Sequence, residues 1–140
     1  MKLFLDTGAL VALHNKADEH HVEAQNLFAE ISSGKLDVTK LYCSDYVLDE
    51  SITTCYARTR SRAAAIQLGE AVLKSKSIVL LSLDTNTFND TWRIFSEKFR
   101  NVPLSFTDCS TYVLAKTHSI PTVFTFDRDF DATGLSRIPR

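Results

Sequence analysis

Asp6, Glu50, Asp108 and Asp127 are four acids far apart in the chain, each at a point where a short apolar run gives way to something else. Asp6 follows the run Leu3-Phe-Leu5, and Glu50 lies within Asp45-Tyr-Val-Leu-Asp-Glu-Ser51. Asp108 lies within Leu104-Ser-Phe-Thr-Asp-Cys109, and Asp127 closes Pro121-Thr-Val-Phe-Thr-Phe. Carboxylates at strand ends or helix starts of an α/β chain can all point into one crevice, where they would repel one another. A hard divalent cation, Mg²⁺ or Mn²⁺, takes oxygen ligands from a few such carboxylates and fills its shell with water and phosphate oxygens. It also lowers the pKa of bound water and stabilises charge developing on a phosphoryl group. Phosphodiester hydrolysis is the chemistry that this set of acids suits.

Each acid also has a plain structural role. Asp6 can end a strand and turn with Gly8, and Asp108 gains from the dipole in the first turn of a helix. Glu50 sits mid-helix, where most glutamates are solvated, and Asp127 can open a surface turn with Arg128-Asp129. Asp49 stands beside Glu50, but consecutive helical positions diverge by about 100°, so only one of them can face a shared site. Geometry by itself does not say which.

The elements that must position these acids follow from periodicity. Residues 2–5 read as a short buried strand. An amphipathic helix is expected from Asp18 to about Ser32, with Val22, Leu27, Phe28 and Ile31 inward and a stop near Gly34. Leu41–Cys43 reads as a brief strand, after which Ser44 caps a helix with Val47, Leu48, Ile52 and Cys55 on its inner face. Ser61 opens a further helix whose stripe is Ala64, Leu68, Ala71 and Val72. Residues 77–83 read as the clearest buried strand. Asp84 or Thr85 begins a helix whose recurring Phe88, Trp92, Phe95 and Phe99 are expected in the core rather than as a base-stacking platform. Thr107 is expected to cap a helix carrying Tyr112, Val113 and Ala115. The strand Thr122–Phe126 and a short edge strand at 135–138 complete the chain. Alternating strands and helices predict a mainly parallel sheet covered on both faces, with ligands beyond the carboxyl ends of the strands.

The 140 residues suit one domain spanning 1–140, and 44% hydrophobic with 24% charged residues is ordinary globular composition. The formal net charge of −1 gives no overall basic field, though basic residues can still rim an acidic site. Arg58-Thr-Arg-Ser-Arg62 is the densest positive segment. It reads either as a guide for substrate phosphates or as a solvated junction between helices. Cys43, Cys55 and Cys109 match no zinc pattern or disulfide framework and read as buried thiols. No apolar run is long enough to span a bilayer, and no secretory h-region opens the chain, so a cytoplasmic location is expected. His14, His20, His21 and His118 show no ligand spacing, and His21 reads as a helix-start packing residue.

Phe4-Leu-Asp-Thr-Gly-Ala-Leu-Val-Ala-Leu13, with Asp18, His21 and Ala24 in D-x-x-H-x-x-A spacing, resembles the opening of the PIN-domain nucleases. Ser44-Asp-Tyr-Val-Leu-Asp-Glu50, Leu104-Ser-Phe-Thr-Asp108 and Thr125-Phe-Asp-Arg-Asp-Phe130 resemble the segments holding the family's second, third and fourth acids. The likeness runs from residue 3 to about 131 and is greatest to the toxin subunits of VapBC-type toxin–antitoxin pairs. It implies a PIN-like three-layer α/β/α fold and Mg²⁺- or Mn²⁺-dependent cleavage of RNA. Asp6, Glu50, Asp108 and Asp127 become the metal-site acids, with Thr107 and Asp129 as auxiliary residues. A small antitoxin and a homodimer are the implied partners. A stand-alone nuclease in RNA processing and a non-catalytic binding scaffold are the alternatives. Asp6-Thr7-Gly8-Ala9 also matches the aspartic-protease string, but those proteins are nearly all β, and this chain is rich in helical periodicity and poor in glycine.

Overall fold

The computed structural model describes residues 1–140. Five parallel strands, β1 (Lys2–Leu5), β2 (Lys40–Ser44), β3 (Ile78–Leu81), β4 (Thr122–Phe124) and β5 (Ser136–Ile138), form one sheet in the order β3-β2-β1-β4-β5. Six α-helices connect and cover them: α1 (Thr7–His14), α2 (His21–Ser32), α3 (Asp45–Thr59), α4 (Arg62–Leu73), α5 (Thr85–Arg93) and α6 (Phe106–Thr117). A π-helical turn, Ile94–Lys98, extends α5, and a 3₁₀ turn, Arg128–Thr133, links β4 to β5. The fold is the three-layer α/β/α arrangement that the alternation of elements predicts.

β1 is central, pairing with β2 on one side and β4 on the other. Its Leu3, Phe4 and Leu5 are fully buried, because both faces of the strand meet helices. The strand order reverses at β1/β4, and the crevice beyond the carboxyl ends of these two strands is where such sheets bind ligands.

Helix α1 was not expected from the sequence. Ala9, Leu10, Val11 and Ala12 are all buried, so the segment is apolar all round and carries no amphipathic period. Asp6-Thr7-Gly8 reads locally as a turn, yet Asp6 is the residue before the first helical turn, and its carbonyl accepts from Leu10 N–H at 3.1 Å.

Several expectations on burial are corrected. β3 is an edge strand with Leu80 39% exposed, not the most buried strand; an apolar run records what a strand could bury, not its place in the sheet. In α5, Phe88, Trp92 and Phe95 are 42%, 56% and 37% exposed, and only Phe99 is buried. This aromatic stripe is therefore not core. Helix α2 begins at His21 and buries Ala24, whereas Val22 faces outward. In α4, Ala71 is exposed and Ala65 and Gly69 are buried, a rotation of the expected stripe. Gly69 lets α3 approach, since a Cβ there would lie 3.3 Å from Ile52 Cδ1.

Ser44 and Ser61 cap α3 and α4 as expected, accepting from Val47 N–H and Ala64 N–H. The cap of α6 is Ser105 rather than Thr107. The three cysteines are free and buried. No helix is long and apolar enough to cross a membrane.

Candidate active site

Asp6, Glu50, Asp108 and Asp127 line one cavity of about 330 Å³, together with Thr7, Gly8, Val11, Thr54, Arg58, Ser105, Thr125 and Phe126. Four different elements bring the acids there. Asp6 follows β1 directly, and Asp127 lies three residues past β4 at the neighbouring strand end. α6 leads into β4 and runs against it, so the start of α6, carrying Asp108, lies at the same edge of the sheet. α3 leaves the carboxyl end of β2 and carries Glu50 in its second turn.

The aspartates are held by one oxygen each. Thr125 Oγ1 donates to Asp6 Oδ2 at 2.7 Å and also accepts from Asp127 N–H at 3.1 Å, tying the two strand ends together. Ser105 N–H donates to Asp108 Oδ2 at 2.9 Å while Ser105 Oγ accepts from Asp108 N–H at 3.0 Å, a reciprocal capping box. Asp127 Oδ1 accepts from Asp129 N–H at 2.9 Å. Fixing one oxygen orients the other without consuming it.

Asp6 is the electrostatic centre of the site. It is 4% exposed, and its Oδ1 is buried with no hydrogen-bond partner. Burial first, and then the charge of Asp108, push its carboxyl up to about 7; Glu50 adds to the rise. The hydrogen bonds from Thr125 and the Thr7 backbone oppose it without cancelling it. Asp108 is raised as well, by burial and by the charges of Asp127 and Glu50, against the lowering by Ser105. Asp6 and Asp108 thus sense the charges of the other acids, as members of one site do.

The donor set has the oxygen chemistry that a hard cation takes. The buried orphan oxygen of Asp6, and Thr7 Oγ1 orphaned beside it, are costly to leave unpaired in a protein interior. A hard ion satisfies carboxylate oxygens while removing their repulsion. No three His, Cys, Asp or Glu side chains converge as a ready-made ligand set. The residues fit a cation that also keeps water in its shell, which is how Mg²⁺ is usually held.

The other expected residues are distributed less uniformly. Asp49 is exposed and outside the cavity, whereas Glu50 is half-buried in its wall. Thr107 lies one residue inside α6 and is not in the wall; the hydroxyl residues there are Thr7, Thr54, Ser105 and Thr125. Asp129 sits behind Asp127 through its backbone N–H, also outside the wall. His21 Nδ1 lies 2.6 Å from Ala12 O, a packing contact between α1 and α2. His20 instead stacks on Phe126 at 4.2 Å between ring centroids, covering one flank of the cavity.

Ser105 was legible, since Ser105-Phe-Thr-Asp108 has capping-box spacing. Thr125 was not, because nothing local marks a strand-end threonine that reaches across to β1. A second cavity, of about 360 Å³ between α1, α2 and α4, is walled mainly by apolar side chains. His14 is its one titratable residue, so it offers little acid–base chemistry.

Comparison with known proteins points the same way. The family model described as "PIN domain" matches residues 3–135. No curated protein sequence matches significantly. Among solved structures, VapC20 of Mycobacterium tuberculosis, described as a Sarcin-Ricin loop cleaving toxin, superposes with a TM-score of 0.83 at 23% identity, covering 95% of each chain. VapBC2 from Rickettsia felis, bound to a promoter DNA fragment, gives 0.66 at 14% identity over 98% of this chain and 97% of that one. DNA-bound VapBC from Salmonella typhimurium gives 0.63 at 22% identity, covering 98% and 96%. At these identities the likeness to the solved structures carries the fold.

Proposed function

Because the chain belongs to the PIN-domain family, we propose that it is a Mg²⁺- or Mn²⁺-dependent endoribonuclease, acting as the toxin of a toxin–antitoxin pair. One observation carries the reading. Four acids from four elements share one cavity beyond the strand ends, and the most buried of them has a carboxyl raised to about 7 and an orphan oxygen. Neighbours of the same fold include an RNA-cleaving toxin and two toxin–antitoxin complexes. These likenesses support both the substrate class and a small antitoxin partner. A homodimer is part of the same proposal.

Asp6, Asp108, Asp127 and Glu50 would hold the ion. When bound, it supplies an activated water and neutralises charge building on the phosphoryl oxygens. The chain's own contribution is position and charge. Thr125 holds Asp6 through Oδ2 and leaves Oδ1 without a hydrogen-bond partner, and Ser105 fixes Asp108. Asp127 is steadied through Asp129, whose backbone N–H donates to its Oδ1. Glu50, on α3 rather than at a strand end, adds negative charge to the same cavity. A site prepared in this way spends no reorganisation energy when the reaction charge appears.

The test is cleavage of structured RNAs, including a ribosomal stem–loop, by purified protein with Mn²⁺ or EDTA, beside Asp6→Asn and Asp108→Asn. Cleavage by the wild type should vanish in EDTA and fall at least about 10²-fold in either variant. Cutting that survives EDTA or both substitutions overturns the proposal.

A further inference from the structure

The wall of the acidic cavity contains one basic residue. Glu50, Thr54 and Arg58 recur at four-residue spacing along α3, so they share a helical face, and all three line the cavity. Arg58 Nη1 lies 3.7 Å from Asp18 Oδ2, in the turn before α2. Asp18 is a firm anchor, because its side chain is 11% exposed and its Oδ1 accepts from His20 N–H at 2.8 Å. Arg58 itself is 60% exposed. A pair so open to water adds little to stability, and stability does not account for a guanidinium placed at this wall. The neighbouring cations are placed differently: Arg60 is the left-handed residue ending α3, and Arg62 sits 4.7 Å over the Tyr56 ring. Neither lines the cavity.

We propose that Arg58, steadied by Asp18, binds a backbone phosphate of the RNA strand next to the bond being cut, and so sets the path of the strand across the carboxylates. The inference rests on the endoribonuclease reading. A polyanion entering a cavity of four carboxylates is repelled at each phosphate. A cation held by the acids offsets this at one phosphate only, so the adjacent one needs its own counter-charge. A guanidinium offers five N–H donors in a planar fork matched to phosphate oxygens. The contact with Asp18 occupies one edge of that fork and leaves donors for the strand. Asp18 therefore acts as a positioning residue.

The experiment measures binding of a fluorescein-labelled single-stranded RNA by anisotropy in EDTA, which holds the strand uncut, over a range of KCl concentrations. Arg58→Ala should weaken binding about tenfold and flatten the slope of log K against log salt by about 0.7, one phosphate contact on a single strand. Arg58→Lys should restore the slope but only part of the affinity. Asp18→Asn should weaken binding with the slope unchanged, because the guanidinium charge remains. Mn²⁺ affinity, measured by calorimetry, should not fall in Arg58→Ala. Arg58→Gln, which keeps the stem, substitutes if the alanine variant fails to fold. Wild-type affinity and slope in Arg58→Ala, or a loss of slope that Arg58→Lys does not recover, overturns the proposal. Wild-type protein that neither binds nor cuts RNA instead overturns the endoribonuclease reading itself.

Discussion

Asp6 is the most buried acid of the site, and its protonation links pH to stability and, in the proposed function, to metal binding. An unperturbed aspartate titrates near 3.8, whereas burial and the Asp108 charge carry this one to about 7 in the folded chain. The folded state therefore binds more protons between those values, and its stability rises as pH falls through them. That contribution is complete below 3.8 and is lost as pH rises through about 7. At pH 8 without metal, the ionised buried carboxylate costs on the order of 4 kcal/mol. Asp6→Asn should consequently melt above the wild type in EDTA at pH 8, with the difference shrinking toward pH 5. Thermal unfolding at the two pH values decides this, and a wild type more stable at pH 8 would show the charge to be compensated already. Excess Mn²⁺ should reverse the order, because only the wild type gains from the ion. By the same linkage, Mn²⁺ binding near pH 6.5 should release a proton, read by calorimetry in buffers of different ionisation enthalpy.

At the scale of elements, the start of α6 does two tasks at once. Ser105 caps the helix and fixes Asp108, so the catalytic candidate is also a reciprocal cap. Ser105→Ala should lower stability by about 1 kcal/mol and weaken Mn²⁺ binding, because Asp108 loses its brace. Thr107→Ala, one residue inside the helix, should do much less of either. Paired denaturant titrations and calorimetry separate the two, and equal effects would return Thr107 to the site. Helix α1 makes the complementary point. Its burial on all sides erases the periodicity by which helices are recognised, yet this helix turns Asp6 away from capping and toward Thr125.

For the whole molecule, the aromatic stripe of α5 is the chief departure from expectation. Phe88 packs at 5.1 Å on Phe106, and Trp92 at 6.0 Å on Phe95, so the rings form a connected outer patch. The proposed homodimer would have here an apolar face to cover. Trp92 is the sole tryptophan, so its fluorescence reports the outcome directly. In dilute protein it should be readily quenched by acrylamide, and self-association through this face should protect it as concentration rises. Trp92→Ser should cost under about 1 kcal/mol in the monomer, whereas Leu68→Ala, in the core, should cost about 2–5 kcal/mol. Unfolding curves of the two variants test the difference in burial.

The sequence by itself determined the alternation of elements, the caps at Ser44 and Ser61 and the acids that could act together. These depend on local propensity, capping chemistry and short-range pattern, all of which are written in neighbouring residues. Helical geometry alone allowed only one of Glu50 and Asp49 to face a shared site, and the choice of Glu50 came from its fit to the family's motif. Only the tertiary structure decided what depends on distant contacts. It made the apolar 78–81 segment a sheet edge, left the α5 aromatics outside and set Thr125 against Asp6 across 119 positions of chain. It also brought Arg58 into a wall of carboxylates. Apolar character states how much a residue gains from burial; which residues are buried, and which acids lose their water together, is settled by the packing of the whole chain.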